Sequence, residues 1–250
     1  MRLLTTPVAV KDADVVKLAQ AIARDIPLGE GKRNMAVSKS SLDRILAEGV
    51  SAIIDLAESK EPDLLRGYER KDIEDDRLRI EDGGSMKGTP AAVPEKAKNR
   101  GRDQLATLGG GNHFIELQRV QRVDDAGLAK AWGLFDGQLV AMIHSGSRGF
   151  GHEVGGQFMR LAVEVATRHG LELRDRELAY MPLVAREAQA YLGAMACAVN
   201  FAFANRQLMA QLVRRNLRHA FAPDLAVKTL YDVPHNIAKF EFVAGDPQGR

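Results

Sequence analysis

Only one cysteine, Cys197, occurs in the 250 residues. That excludes an internal disulfide and any cysteine cage for zinc. It sits in the apolar run Ala194-Met195-Ala196-Cys197-Ala198-Val199, the setting of a small buried core residue. Long hydrophobic runs are also missing: no stretch is apolar for long enough to span a membrane. The N-terminal stretch lacks the pattern of a secretory signal, because Lys11, Asp12 and Asp14 interrupt it early. The default expectation is a cytoplasmic protein with no membrane partner. The net charge is only +2, so the chain does not read as a polyelectrolyte binder. Basic residues do cluster at Arg214, Arg215, Arg218 and His219, and at Lys96, Lys98, Arg100 and Arg102. Taken alone, each cluster reads as a solvated helix face. Internal repeats and low-complexity linkers are absent as well.

What is present is an ordinary globular composition, 45% hydrophobic and 27% charged, enough to bury a real core. Asp12 to Arg24 has helical spacing, with Val15, Val16, Leu18, Ala19 and Ile22 able to share a face. Ser40 to Leu56 reads as one or two helices, with Ser40 and Asp43 spaced like a capping box. Residues 58–98 are dense in charge, glycine and proline. They read as a surface insertion within a single domain, with a helix starting near Pro94. His113 to Val120 and Gln138 to Ile143 read as strands, and Glu153 to His169 as a helix. A long helix from about Ala185 to Arg218 is apolar nearly all round, so much of it should be buried. Asn200, Asn205 and Arg206 interrupt its apolar surface and need partners, in a neighbouring loop or at a cavity. Ala226 to Val243 reads as β-rich, with a turn at Pro234-His235-Asn236. Strands and helices mix without regular βαβ alternation, which predicts an α+β fold with mixed or antiparallel sheets flanked by helices.

Two strings carry chemistry: Thr107-Leu108-Gly109-Gly110-Gly111-Asn112-His113-Phe114-Ile115-Glu116 and Ile143-His144-Ser145-Gly146-Ser147-Arg148-Gly149. Each sets a histidine where a strand meets a glycine-rich turn. Such turns can aim backbone N–H groups at an anion. His235, in Tyr231-Asp232-Val233-Pro234-His235-Asn236, is a third histidine at a turn. His152, His169 and His219 fall in or beside predicted helices and read as surface residues. One motif alone reads as a tight turn with a satisfied histidine; the three together read as a site for a metal and a phosphorylated ligand. Asp232 and Glu116 are candidates to orient the imidazoles. Three histidines suit zinc, iron, copper or manganese alike. Arg148, beside two serines, offers a guanidinium fork for phosphate.

Leu105 to Leu117, Ile143 to Gly149 and Val233 to Lys239 strongly resemble the RtcB-type RNA-splicing ligases. Arg100 to Leu105, Gln189-Ala190-Tyr191-Leu192 and Asn205-Arg206-Gln207 support the match, which keeps its order through nearly the whole chain. The resemblance implies an RtcB-like fold. It further implies a GTP- and Mn2+-dependent enzyme joining an RNA 3′-phosphate, or 2′,3′-cyclic phosphate, to a 5′-hydroxyl, as in tRNA splicing or RNA repair. Two manganese ions would be held in part by His113, His144 and His235. Asn112, Phe114, Glu116 and Asn236 would contact the guanine nucleotide, and Asn112 and Arg148 would serve catalysis. The family's Asp-x-Gly-Cys-Gly-Met string, which supplies a bridging thiolate, has no counterpart here. Neither has its His-Gly-Ala-Gly-Arg-like string, which carries the GMP-accepting histidine. The expectation is therefore a stretch truncated at both ends, weak in metal affinity and unable to complete ligation alone. A catalytically silent module binding metal, nucleotide or RNA is the alternative; a metal-dependent phosphohydrolase is a more distant one.

Overall fold

The computed structural model describes residues 1–59, Leu64 and 70–241. In chain order the elements are β1 (Arg2–Thr5), α1 (Asp12–Asp25), α2 (Lys39–Glu48), α3 (Val50–Ser59), α4 (Arg70–Arg77), α5 (Glu95–Gly101), β2 (Phe114–Arg119), α6 (Ala126–Trp132), β3 (Leu139–His144), α7 (Arg148–Arg168), α8 (Arg186–Ala220) and β4 (Val227–Tyr231). The strands form one sheet in the order β2-β3-β1-β4, with every neighbouring pair antiparallel. This is the α+β arrangement the sequence predicts. Val243 and the rest of 242–250 lie outside the described residues.

The long helix forms as its pattern requires. Its 35 residues make a rod of roughly 50 Å at about 1.5 Å per residue. It packs against α1, α2, α3, α7 and β3, so it is buried on nearly every side. Phe150 of α7 stacks on Phe201 of α8, with ring centroids 5.2 Å apart. No helix among the described residues is long and apolar enough to cross a membrane; polar residues at Asn200, Asn205, Arg206, Gln207, Gln211 and Arg214 break even this one.

The sheet lies over the helices with one face inward. Leu3, Leu139, Ala141, Ile143 and Val227 are buried there, and strand alternation turns Arg2, Val140, Met142 and His144 to the other face. This parity places His144 on the outer side, at the end of β3.

Several local expectations change. Ser38, not Ser40, caps α2: its hydroxyl accepts from Ser41 N–H at 3.2 Å. Asp43 instead pairs with Lys98 at 2.7 Å. Lys98 is buried, as is Arg214, so neither basic cluster is simply a solvated face. Arg214 makes two 2.7 Å bonds to Asp76. Asp76 belongs to the 58–98 stretch, which therefore does more than cover the surface: α4 lies in it, and Ile73 and Asp76 are sunk in the core. Charge dominates that stretch in sequence, and the fold pairs part of the charge internally. Helix α7 begins at Arg148, five residues before its expected start, because the glycines of Gly149 and Gly151 do not prevent the first turn. Gly49 breaks the chain between α2 and α3 at φ 62°, where a Cβ would strike the Gly84 carbonyl. The β-rich tail shortens to β4, since Pro234 and the turn after it leave the sheet. The β2–β3 connection, expected as a hairpin or longer polar link, carries α6, capped by the Asp125 carboxylate accepting from Leu128 N–H at 2.8 Å.

Candidate metal and anion centre

The geometry of the three histidines follows from the strand register. Phe114 opens β2 directly opposite His144, the last residue of β3. His113 precedes Phe114, so two histidines distant in sequence become neighbours, with ring centroids 6.0 Å apart. Phe114 packs edge-on against His144 at 5.1 Å. His235, on the turn after β4, comes from the far edge of the sheet. Its Nε2 lies 3.2 Å from His144 Nε2. The structure thus brings His113, His144 and His235 to one cavity of about 590 Å3, whose wall also includes Arg148, Arg206 and Asn236.

The loops around the cavity are held from below by α8. Asn205 is fully buried. Its amide donates to Thr107 O (3.1 Å) and Gly146 O (3.1 Å), lies 3.3 Å from Ser145 Oγ, and accepts from Thr107 N–H (3.2 Å). One side chain therefore ties the loop before His113 to the loop after His144. Arg206, the next residue, donates to Ser145 O at 3.1 Å and to Asp232 Oδ1 at 2.6 Å. Asp232 stands three residues before His235, so this buried pair links the second and third histidine segments. Asn205 and Arg206 anchor neighbouring loops, as their interruption of the apolar helix predicts. Asp232 is spent on Arg206 rather than on an imidazole, and Glu116 is exposed and bonded to Gln118 at 2.7 Å.

Arg148 has φ 56° and Ala106 φ 57°, two left-handed non-glycine residues flanking one wall. Such strain of about 1–3 kcal/mol each persists only where neighbours over-determine it. The Arg148 guanidinium is fixed by Thr107 Oγ1 (3.0 Å) and Gly29 O (3.0 Å), and Nη1 lies 3.4 Å from His113 Nδ1. Gly109, at φ 103°, lies beneath them; a Cβ there would run into both the guanidinium and the His113 ring. Glycine is required at that point. Helix α7 opens onto the cavity with Ser147 at its N-cap, and the Ser147 hydroxyl caps no N–H. Helix N-termini favour anions through their unpaired N–H groups and dipole.

The electrostatics run the same way. Burial first, then the Arg148 cation, pushes the His113 pKa down; burial and then His235 push His144 down. Burial also lowers Arg148. Imidazoles held neutral present lone pairs. Two nitrogens bound to one ion at about 2.1 Å lie roughly 3–3.5 Å apart. The His144–His235 pair at 3.2 Å fits that spacing. Among the described residues no group of three His, Cys, Asp or Glu side chains is set to hold one ion; His113 stands alongside the pair. Cys197 offers no thiolate, since burial pushes its pKa up to about 12.

Of the nucleotide candidates, Phe114 packs on His144 and Asn236 lines the cavity, while Asn112 and Glu116 are exposed beside it. Sequence reasoning missed His152, which lines the same cavity. Its place four residues after Arg148, one helical turn along α7, was the available signal.

The family profile described as tRNA-splicing ligase RtcB matches residues 1–248. Relatives named tRNA-splicing ligase RtcB include one from Thermococcus kodakarensis, 40% identical over 91% of this chain and 45% of its own length. One from Pyrococcus furiosus is 38% identical over 96% of this chain and 24% of its own length. One from Pyrobaculum aerophilum is 40% identical over 100% of this chain and 50% of its own length. The chain thus spans from about a quarter to half the length of these curated relatives. With the profile running through nearly all of it, and the three histidine motifs meeting at one cavity, the chain belongs to the RtcB family of tRNA-splicing ligases.

Proposed function

We propose that this chain supplies the metal- and nucleotide-binding centre of an RNA ligase, one that joins an RNA 3′-phosphate or 2′,3′-cyclic phosphate to a 5′-hydroxyl with GTP and Mn2+, in the cytoplasm, on tRNA halves or broken RNA. The observation that carries the reading is the meeting of His113, His144 and His235 with Arg148 at one cavity. His144 and His235 are the pair best spaced to share an ion, with His113 as a further ligand. Bound manganese would offset charge on the triphosphate and the RNA phosphate.

The chain's own residues do the rest by positioning. Arg148, which lines the cavity, has five N–H groups, and those beyond the three engaged would bind a phosphate there. In the first turn of α7 the Gly149 N–H is taken by Gln104 Oε1 and the Gly151 N–H by the Ser147 carbonyl, so the helix contributes chiefly its dipole. Asn112, Phe114, Glu116 and Asn236, next to the histidines in sequence or in the sheet, would contact the guanine nucleotide. Asn205 and Arg206 hold the loops so that these groups need not reorganise when charge develops.

The test is Mn2+ titration of the purified chain, read by the loss of the free-ion electron paramagnetic resonance signal. His144→Ala and His235→Ala should each weaken binding at least ten-fold while leaving circular dichroism unchanged, and GTP should tighten Mn2+ binding in the native chain. Equal affinity in native and both variant chains would overturn the assignment.

A further inference from the structure

The end of the sheet away from the histidines carries a second charged cavity. It measures about 300 Å3 and opens where β1 ends and where β3 and β4 begin; Arg79, Lys130, Lys228 and Trp132 stand in its wall. The cations come from three separate segments. Lys130 belongs to the last turn of α6 and Lys228 to β4, opposite Leu4. Arg79 lies beside β4, its carbonyl accepting from Asp232 N–H at 3.1 Å. All three are exposed. None of their side chains has an ion-pair or hydrogen-bond partner among the described residues. Trp132, 51% exposed, adds a half-open indole.

No carboxylate lines this cavity, and those on the segments around it are engaged or lie outside it. Asp76, three residues before Arg79, bonds Arg214; Glu81 bonds Lys239; Asp125 caps α6. Asp75, Asp136 and Asp224 are exposed beyond the wall. Glu116 sits on β2, three strands across from β4, about 14 Å away at ~4.8 Å per strand. The carbonyls that close α6 are taken as well: Ala129 O by Leu134 N–H (2.8 Å), Lys130 O by Gly133 N–H (3.2 Å) and Gly133 O by Gln138 Nε2 (3.0 Å). Three like charges thus converge with no counter-charge, a field that draws in an anion. Cations beside an exposed aromatic suit single-stranded nucleic acid, whose bases stack while its phosphates are tracked.

We infer that this cavity is a second RNA contact: phosphates of a single-stranded stretch pair with Arg79, Lys130 and Lys228, and a neighbouring base stacks on Trp132. Gln138 and His144 bracket β3, six residues apart, about 20 Å at roughly 3.3 Å per residue. The contact therefore grips the body of the substrate and not its reacting end. It rests on the ligase reading of the histidine cavity and adds to it a separate anchoring point.

Trp132 is the only tryptophan in the chain, which makes the test direct. The chain is titrated, without Mn2+, with an end-labelled oligouridylate about ten nucleotides long that carries no 3′-phosphate. Trp132 fluorescence and the anisotropy of the label are followed across a range of salt. The RNA should quench Trp132. Lys130→Ala and Lys228→Ala, both exposed changes, should each weaken binding several-fold and flatten the plot of log affinity against log salt by about 0.7, the loss of one single-strand phosphate contact. Trp132→Ala should weaken binding about ten-fold, read by anisotropy. Binding without quenching, at native affinity and salt slope in both lysine variants, would overturn the site. So would failure of the oligonucleotide to bind, or quenching by inorganic phosphate alone. Fluorescence that follows protein concentration and not RNA would give the cavity to a second copy of the chain and refute the contact. The ligase reading is scored apart, by the same RNA bearing a 3′-phosphate in Mn2+: tighter binding that His144→Ala abolishes supports that reading whatever the lysine variants do.

Discussion

Replacing Asn205 by alanine tests whether one buried amide holds the site together. Asn205 is 0% exposed and makes three bonds of 3.1–3.2 Å to Thr107 and Gly146 backbone groups, with a weaker fourth contact to Ser145. Each such bond contributes about 1 kcal/mol net, and a buried group left without a partner costs about 1 kcal/mol or more. Three lost bonds, with the buried Thr107 N–H stranded, give about 3–4 kcal/mol. Against a total of about 5–15 kcal/mol, that is a large share, and it should lower the Tm by roughly ten degrees at about 2–4 degrees per kcal/mol. Urea unfolding followed by circular dichroism should show a lower midpoint at unchanged slope. Asn205→Asp is the sharper control. It keeps the shape and the acceptor for Thr107 N–H, yet faces two carbonyls with a carboxylate. It should destabilise at least as much at pH 7. The loss should ease as the pH falls, because the protonated acid can donate to one carbonyl and its folded-state pKa must be raised. A loss under 1 kcal/mol for Asn205→Ala, or Asn205→Asp as stable as native, would refute the reasoning.

Three further outcomes follow from the same geometry. Arg214→Met strands the Asp76 carboxylate, whose partner Arg214 is 1% exposed, and should cost about 3–5 kcal/mol; Asp76→Leu added to it should restore part of the loss in urea melts. Gly109→Ala forces a side chain at φ 103° into Arg148 and His113. It should leave the fold intact, cost about 1–2 kcal/mol, and weaken Mn2+ and GTP binding together; unchanged affinity would show that neither group needs its present position. Cys197 keeps its proton up to about pH 12 in the fold, against about 9 when unfolded. The unfolded chain therefore binds fewer protons between those values, so native stability should fall as pH rises from about 9. Melts from pH 8 to 11 should show a flatter decline in Cys197→Ala.

Periodicity made the elements legible, and burial decided what it could not. The α8 pattern is unmistakable because thirty-odd residues sustain it, and its polar interruptions at Asn205 and Arg206 foretold anchors. The glycine-histidine strings marked strand ends, and antiparallel pairing turned that into proximity. Arg214 and Lys98 were read as solvated because their partners, Asp76 and Asp43, are distant in sequence; no local pattern announces an ion pair across more than fifty residues. Asp76 was hidden further by its neighbours, since a buried acid in a run of surface acids looks like the rest. The capping box at Ser40 failed because Ser38, two residues earlier, caps first. The signal at His152, one helical turn after Arg148, can be used only once α7 is known to begin at Arg148.

The arrangement of the site follows from a division of labour between sheet and helix. The sheet delivers histidines to one outer corner, but strand ends are where a sheet is least constrained, and imidazoles at frayed ends could not keep a ligand spacing. The buried helix supplies the missing rigidity. Asn205 grips the loops of His113 and His144, and Arg206 with Asp232 grips those of His144 and His235, so His144 is fixed from both sides. Consecutive residues on α8 point about 100° apart, which lets one reach each pair of loops. Polar side chains in the most buried helix of the chain thus have work there: Asn205 bonds the backbone of two loops, and Arg206 bonds the Ser145 carbonyl and the Asp232 carboxylate. A site built this way gains its order from bonds made before any ligand arrives, which is the condition for binding a metal and an anion without first reorganising the protein.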